Sequence, residues 1–117
     1  MSMNNAGDLF YGITETLQNA VSATGNGASA DMRGVRTFVV DVGGTFTATV
    51  TFEGSIDGGV TWFAVGLAAL GTGTYALTAT VAGTFASPAA LPTLSHFRGR
   101  VTWTSGTSVT VKLRKMN

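Results

Sequence analysis

Residues 45–56, Thr45-Phe46-Thr47-Ala48-Thr49-Val50-Thr51-Phe52-Glu53-Gly54-Ser55-Ile56, alternate without a break between two kinds of side chain. Phe46, Ala48, Val50, Phe52, Gly54 and Ile56 fall on one face. Thr45, Thr47, Thr49, Thr51, Glu53 and Ser55 fall on the other. A strict period of two marks a strand with one buried face and one wet or interfacial face. Asp57-Gly58-Gly59 follows, a turn able to take the positive φ that a tight hairpin needs. Residues 60–65, carrying Trp62 and Phe63, then predict the returning strand.

Working outward, residues 35–42 are rich in β-branched side chains and close on Gly43-Gly44, which predicts a strand and a turn. Residues 66–73 are a loop of small residues. Residues 74–81 alternate again, with Tyr75, Leu77, Ala79 and Val81 on one side. Thr84-Phe85 predicts a short edge strand, and Pro88 and Pro92 mark a loop. Residues 97–103 and 108–114 predict a last hairpin across Thr104-Ser105-Gly106-Thr107. Turn signals thus recur about every ten residues. The expected architecture is a single all-β domain over residues 31–117, a β-sandwich or jelly-roll-like fold of seven or eight short antiparallel strands.

Residues 1–30 differ in character and are expected to form an N-terminal arm. Gly, Ala, Asn and Ser dominate, with apolar residues at Leu9, Phe10, Ile13, Leu17 and Val21. Leu9, Ile13 and Leu17 are spaced by four, on one face of a helix for which Asp8 could serve as N-cap. Gly12 and Thr14 weaken that pattern, so a strand or an extended arm stands beside it. Thr24-Gly25-Asn26-Gly27 is a turn signal. With a boundary near residue 30, removing the first twenty or so residues should leave the sandwich folded and impair only assembly.

Composition narrows the function. Of 117 residues, 44% are hydrophobic and only 11% charged, against about 25% charged in an average soluble domain. So weakly charged a surface predicts cover by a partner or by further copies of the chain, as a homo-oligomer. The net charge of +1 supplies no field that would draw nucleic acid or an anionic membrane. The one basic run is Lys112, Arg114 and Lys115. There is no cysteine, which rules out disulfides and thiolate chemistry. No apolar run approaches the length of a membrane span, and the amino-terminal residues lack the pattern of a signal peptide, so synthesis in a cytoplasm is expected.

No catalytic, cofactor-binding or metal-binding residues can be assembled. His96 is the only histidine, and no Ser or Asp stands at a spacing that suggests a triad. Glu53 and Asp57 could approach at a strand end as paired carboxylates do in glycosidases, but Asp57 is better explained by the turn. One carboxylate in Asp57-Gly58-Gly59 is too few for calcium. Gly43-Gly44 and Gly71-Thr72-Gly73 do not match a phosphate-binding loop. Trp62, Phe63, Tyr75 and Trp103 could stack on a glycan or on bases, yet no basic residues interleave near Trp62 and Tyr75, and aromatics in sandwiches are mostly core. The expectation is a protein without enzymatic activity and without cofactor. Its candidate partner-binding residues are Leu9, Phe10, Ile13 and Leu17 on the arm and Thr47, Thr49 and Thr51 on the threonine face.

Residues 45–62 also resemble a pattern found in small bacteriophage structural proteins: a Thr/Val strand, then Glu53-Gly54-Ser55, Asp57-Gly58-Gly59 and Trp62. Gly25-Asn26-Gly27, Asp31-Met32-Arg33-Gly34 and Arg98-Gly99-Arg100-Val101 before a Ser-Gly-Thr turn are similar to the same family. The likeness covers roughly residues 21–114. It implies a virion component that binds other virion structural proteins. First among these is the major capsid protein, with the chain as a capsid decoration or stabilising subunit made in the host cytoplasm. A tail, neck or baseplate component, or a carbohydrate-binding module using Trp62 or Trp103, are the alternatives.

Overall fold

The computed structural model describes residues 13–88 and 94–116 and is all-β. The strands in chain order are β1 (Ile13–Val21), β2 (Ala30–Asp31), β3 (Thr37–Ser55), β4 (Phe63–Ala64), β5 (Leu67–Ala69), β6 (Tyr75–Ala76), β7 (Thr78–Ala79), β8 (Gly83–Ala86) and β9 (His96–Met116). All join one antiparallel sheet whose main path runs β1-β9-β3-β8-β5-β6, with β2 paired to β9 and β4 and β7 to β3.

Two long strands organise it. β3 and β9 pair from Thr37↔Met116 to Ser55↔His96. Straight, a 19-residue strand would run about 60 Å, and the longest dimension of the molecule is 43 Å. The ladder therefore bends. The register slips between Thr45 and Phe46 and again between Thr47 and Ala48, leaving Thr107 and Thr104 of β9 as extra residues, as in β-bulges, which bend and twist a strand. Gly44 and Gly106, both at φ 116°, lie at this corner, where side chains would collide with the facing backbone.

The bend folds the sheet onto itself. Phe38 stands opposite Lys115 at one end of the ladder and Phe97 opposite Gly54 at the other, yet their rings lie 5.1 Å apart. Phe85 pairs with Val40 and meets Phe52 at 5.0 Å. These contacts can form only across two stacked layers. The first layer holds β1, residues 109–116, residues 37–44, β8, β5 and β6. The second holds residues 96–103, residues 46–55, β2, β4 and β7. Phe38, Val40, Val42, Val50, Phe52, Leu67, Phe97, Val101, Val111 and Leu113 fill the space between. The result is a sandwich in which the expected short strands are replaced by two long ones that belong to both layers.

Several expectations differ from the structure. The last hairpin does not form: residues 97–103 and 108–114 both pair with β3, not with each other. The described part of the arm expected over residues 1–30 lies along the sheet. β1 pairs with β9 from Ile13↔Lys115 to Val21↔Val109, β2 pairs with β9, and Gly25 bridges Val101. The spacing-by-four helix is a strand where it can be described. Leu9, Phe10 and the proposed cap Asp8 lie outside the described residues. Finally, residues 74–81 split into β6 and β7, whose partners differ, and β8 is an interior strand rather than an edge. The 57–59 turn does close a hairpin, with Glu53↔Ala64 and Gly54↔Phe63, but the strand expected over residues 60–65 is only Phe63–Ala64, residues 60–62 being part of the loop.

Candidate interaction surfaces

The hairpin after β3 is built on Ser55. Its alternation places it on the polar face, yet it is fully buried. The Ser55 hydroxyl donates to Asp57 Oδ1 at 2.7 Å and accepts from the Gly59 amide at 2.9 Å. Ser95 seals the other side, donating its amide and its hydroxyl to the Ser55 carbonyl. Asp57 in turn accepts from the Thr61 hydroxyl at 2.5 Å and the Thr61 and Val60 amides. The Thr61 hydroxyl, then the Thr61 amide and the Ser55 hydroxyl, hold the Asp57 carboxyl well below the usual carboxylate range. Stabilised as an anion by four donors, Asp57 is a turn-forming group, not a proton donor.

On the outer face of the second layer, Thr47 is exposed and Thr49 and Thr51 are half-buried. Cross-strand pairing continues this row onto β9, with Thr49 opposite Thr102 and Thr51 opposite Arg100. At its end Glu53 accepts from Arg98 Nε at 2.8 Å and from Arg100 Nε at 3.1 Å. The Arg98 guanidinium lies 4.1 Å from the centre of the Trp62 ring, and the Trp62 indole N–H donates to the Gly59 carbonyl at 3.0 Å. One face of Trp62 is therefore taken by a cation within the chain. Trp103 packs against the core and is half-buried.

The third surface is the one that pattern reasoning missed. Ile56, Val60, Phe63, Leu70, Tyr75, Leu77 and Val81 are exposed, several of them by well over half, Val60 at 82% and Val81 at 70%. They lie in or beside β4 to β7, on the side of the sandwich remote from β1 and β2. Tyr75, Leu77 and Val81 were expected to share a buried side with Ala79, but among the four only Ala79 is buried. Ile56, expected on the buried face of the long alternation, leaves it at the turn. The sequence carries a signal for this surface: no Lys, Arg, Asp or Glu occurs between Asp57 and Arg98. Large exposed apolar patches on a folded chain mark contact sites.

The candidate residues from the sequence separate accordingly. Thr47, Thr49 and Thr51 share one outer face. Leu17 is a core residue at 3% exposure, so it packs within the chain and is not presented to a partner. Ile13 opens β1 opposite Lys115. Leu9 and Phe10 lie outside the described residues. Among the described residues no three His, Asp or Glu side chains come together as a metal site would require. His96 Nδ1 faces Ser95 Oγ at 3.2 Å, and Ser95 is committed to the Ser55 carbonyl.

A sandwich folded from one bent ladder defines the class by its fold: an all-β domain. Two solved structures share that fold. The SPBc2 prophage-derived protein YomS superposes with a TM-score of 0.76 at 16% identity, over 86% of this chain and 88% of that one. The PBSX exported protein XepA superposes with a TM-score of 0.78 at 15% identity, over 98% of this chain. This chain spans 44% of XepA, less than half its length. Neither a protein-family model nor a curated protein sequence matches the chain.

Proposed function

We propose that the chain is a non-catalytic structural component of a bacteriophage particle that docks onto neighbouring virion subunits. In the sharper form of this reading it is a capsid decoration subunit, bound to the major capsid protein and associated with further copies of itself. The observation that carries it is the apolar, uncharged side formed by β4 to β7, which a free monomer would leave in water. Two further points support it. The fold is shared with the SPBc2 prophage-derived protein YomS and the PBSX exported protein XepA, and the threonine row offers hydroxyl-bearing, β-favouring residues suited to packing. Trp62 beneath Arg98 leaves a glycan platform little to work with.

XepA is described as an exported protein, and that favours one second reading: a phage-encoded protein that acts after release rather than within the particle. Quantitative mass spectrometry of purified particles separates the two. The proposal expects the chain at a fixed copy number relative to the major capsid protein. Its recovery only in the soluble fraction, as a monomer, would overturn the proposal.

A further inference from the structure

The outer face of the first layer differs from both surfaces above. Alternation on β9 turns Val111 and Leu113 into the core and Lys112 and Arg114 out of it. Lys112 stands opposite Asp41 and Arg114 opposite Val39. β1 brings Thr16 beside Lys112 and Thr14 beside Arg114, and β8 brings Thr84 beside Asp41. A shallow groove of about 620 Å³ runs over these strands, lined by Thr14, Val39, Asp41, Thr84, Lys112 and Arg114. A second hollow of about 500 Å³ shares Asp41, Thr84 and Lys112 and extends to Gly43, Gly44 and Thr110 at the corner.

The cross-strand pair Asp41–Lys112 would be expected to neutralise itself. It does not. Asp41 Oδ1 accepts the Thr84 hydroxyl at 2.6 Å, which turns the carboxylate toward β8 and away from Lys112. The ion pairs among the described residues are Arg33–Asp31, Arg98–Glu53, Arg100–Glu53 and Lys115–Glu15. Lys112 and Arg114 have no such partner, although the next residue along β9, Lys115, does. Two cations thus lie side by side in a groove, each with unused donors.

From this arrangement we infer that the groove binds an extended acidic segment of a partner protein, with Lys112 and Arg114 each taking one carboxylate. Two positions along a strand span about 6.8 Å, so the two cations match carboxylates at alternate positions of an extended peptide. Arg114 can engage its carboxylate through two parallel N–H donors, and Lys112 acts as a point charge. Nucleic acid fits less well. Two cations neutralise far fewer phosphates than such binding uses, and Asp41, seated between them and β8, repels a continuous phosphate backbone. The groove lies on a different face from the apolar side, so this inference stands whether or not that side is covered.

The test is an NMR titration of the full chain at low ionic strength with a short capped peptide bearing glutamate at every second position. Parallel titrations use its glutamine counterpart and a single-stranded thymidine oligonucleotide. The expected result is saturable shifts at the amides of Lys112, Arg114, Asp41 and Thr84 with the glutamate peptide alone. Lys112→Glu together with Arg114→Glu should weaken binding by about 2- to 30-fold, the combined effect of two exposed ion pairs. Lys112→Gln with Arg114→Gln should weaken it too, should the charge-reversed chain misfold. Absence of shifts, equal binding by the variants, or oligonucleotide binding as tight as the peptide's would overturn the inference. None of these results bears on the particle measurement above.

Discussion

Ser55 shows how a single hydroxyl can matter more than its place in a pattern. By alternation it belongs with Thr51 and Glu53, but it is buried because the turn is assembled around its oxygen. Ser55→Ala would leave the half-buried Gly59 amide and Asp57 without their Ser55 partner, and should lower stability by about 1–2 kcal/mol, as urea denaturation would measure. Asp57 makes the companion case through pH. Its folded-state pKa lies below the usual 3.8, so its contribution is full above that value and is lost as the pH falls through the folded value. A carbon-detected NMR titration should find Asp57 still ionised at about pH 3; a midpoint at the ordinary value would mean the turn is not formed as described. The glycines of this turn were legible because Gly58 and Gly59 take positive φ. Ser55 was not, because a serine at an outward position is indistinguishable in sequence from one facing water. Gln18 is a second such residue. It reads as surface, yet its amide donates to the carbonyls of Gly99 in the opposite layer and of Gly25, closing the sandwich beside β1.

At the scale of elements, strand identity was readable and strand pairing was not. Gly43-Gly44 and residues 104–107 each carry a correct signal for a change of direction. What no local signal reveals is that they face each other, with Gly44 opposite Val109 and Phe46 opposite Gly106. Two facing bends make one corner of a continuous ladder, whereas separate turns would have made two hairpins. The corner makes a sharp demand on its glycines. At Gly44 a side chain would strike the Ser108 carbonyl, and at Gly106 it would come within 2.6 Å of the Phe46 Cα. Gly44→Ala and Gly106→Ala should each cost at least about 2 kcal/mol, from positive φ and from collision, and thermal unfolding would register it. An unchanged melting temperature in both would mean the ladder does not bend there. The place of residues 13–21 in the sheet was hidden for a related reason. Residues 13–21 are too polar and glycine-flanked to announce a strand, and β9 supplies the order that their own sequence lacks. Deleting the chain through Ala20 removes Leu17, whose burial contributes about 2 kcal/mol, the Gln18 clamp and most of the β1–β9 ladder. Circular dichroism of that truncation should show no cooperative unfolding; a well-folded product would restore the boundary near residue 30.

Across the whole molecule, charge and apolar surface are segregated. The charged side chains lie before Gly58 and after Phe97 in sequence, and among the described residues Glu15, Asp41, Glu53, Arg98, Arg100, Lys112, Arg114 and Lys115 stand on β1, β3 and β9. The intervening residues supply the short strands β4 to β8 and an exposed apolar side. The low charge fraction pointed to an apolar surface but not to its place, because Tyr75, Leu77 and Val81 alternate as a buried strand would. In the fold the alternation breaks: Tyr75 lies on β6, while Leu77 and Val81 fall in the bends on either side of β7. The threonine face, by contrast, lies where its alternation put it.

The central claim is that the β4–β7 side is the contact surface. Hydroxyl-radical footprinting of the chain, free in solution and in purified particles, addresses it directly. Oxidation of Phe63, Leu70, Tyr75, Leu77 and Val81 should be strong in the free chain and largely suppressed in particles, while that of the exposed Arg33 and Arg36 beside β2 changes little. Equal oxidation of the apolar side in both states would contradict the claim.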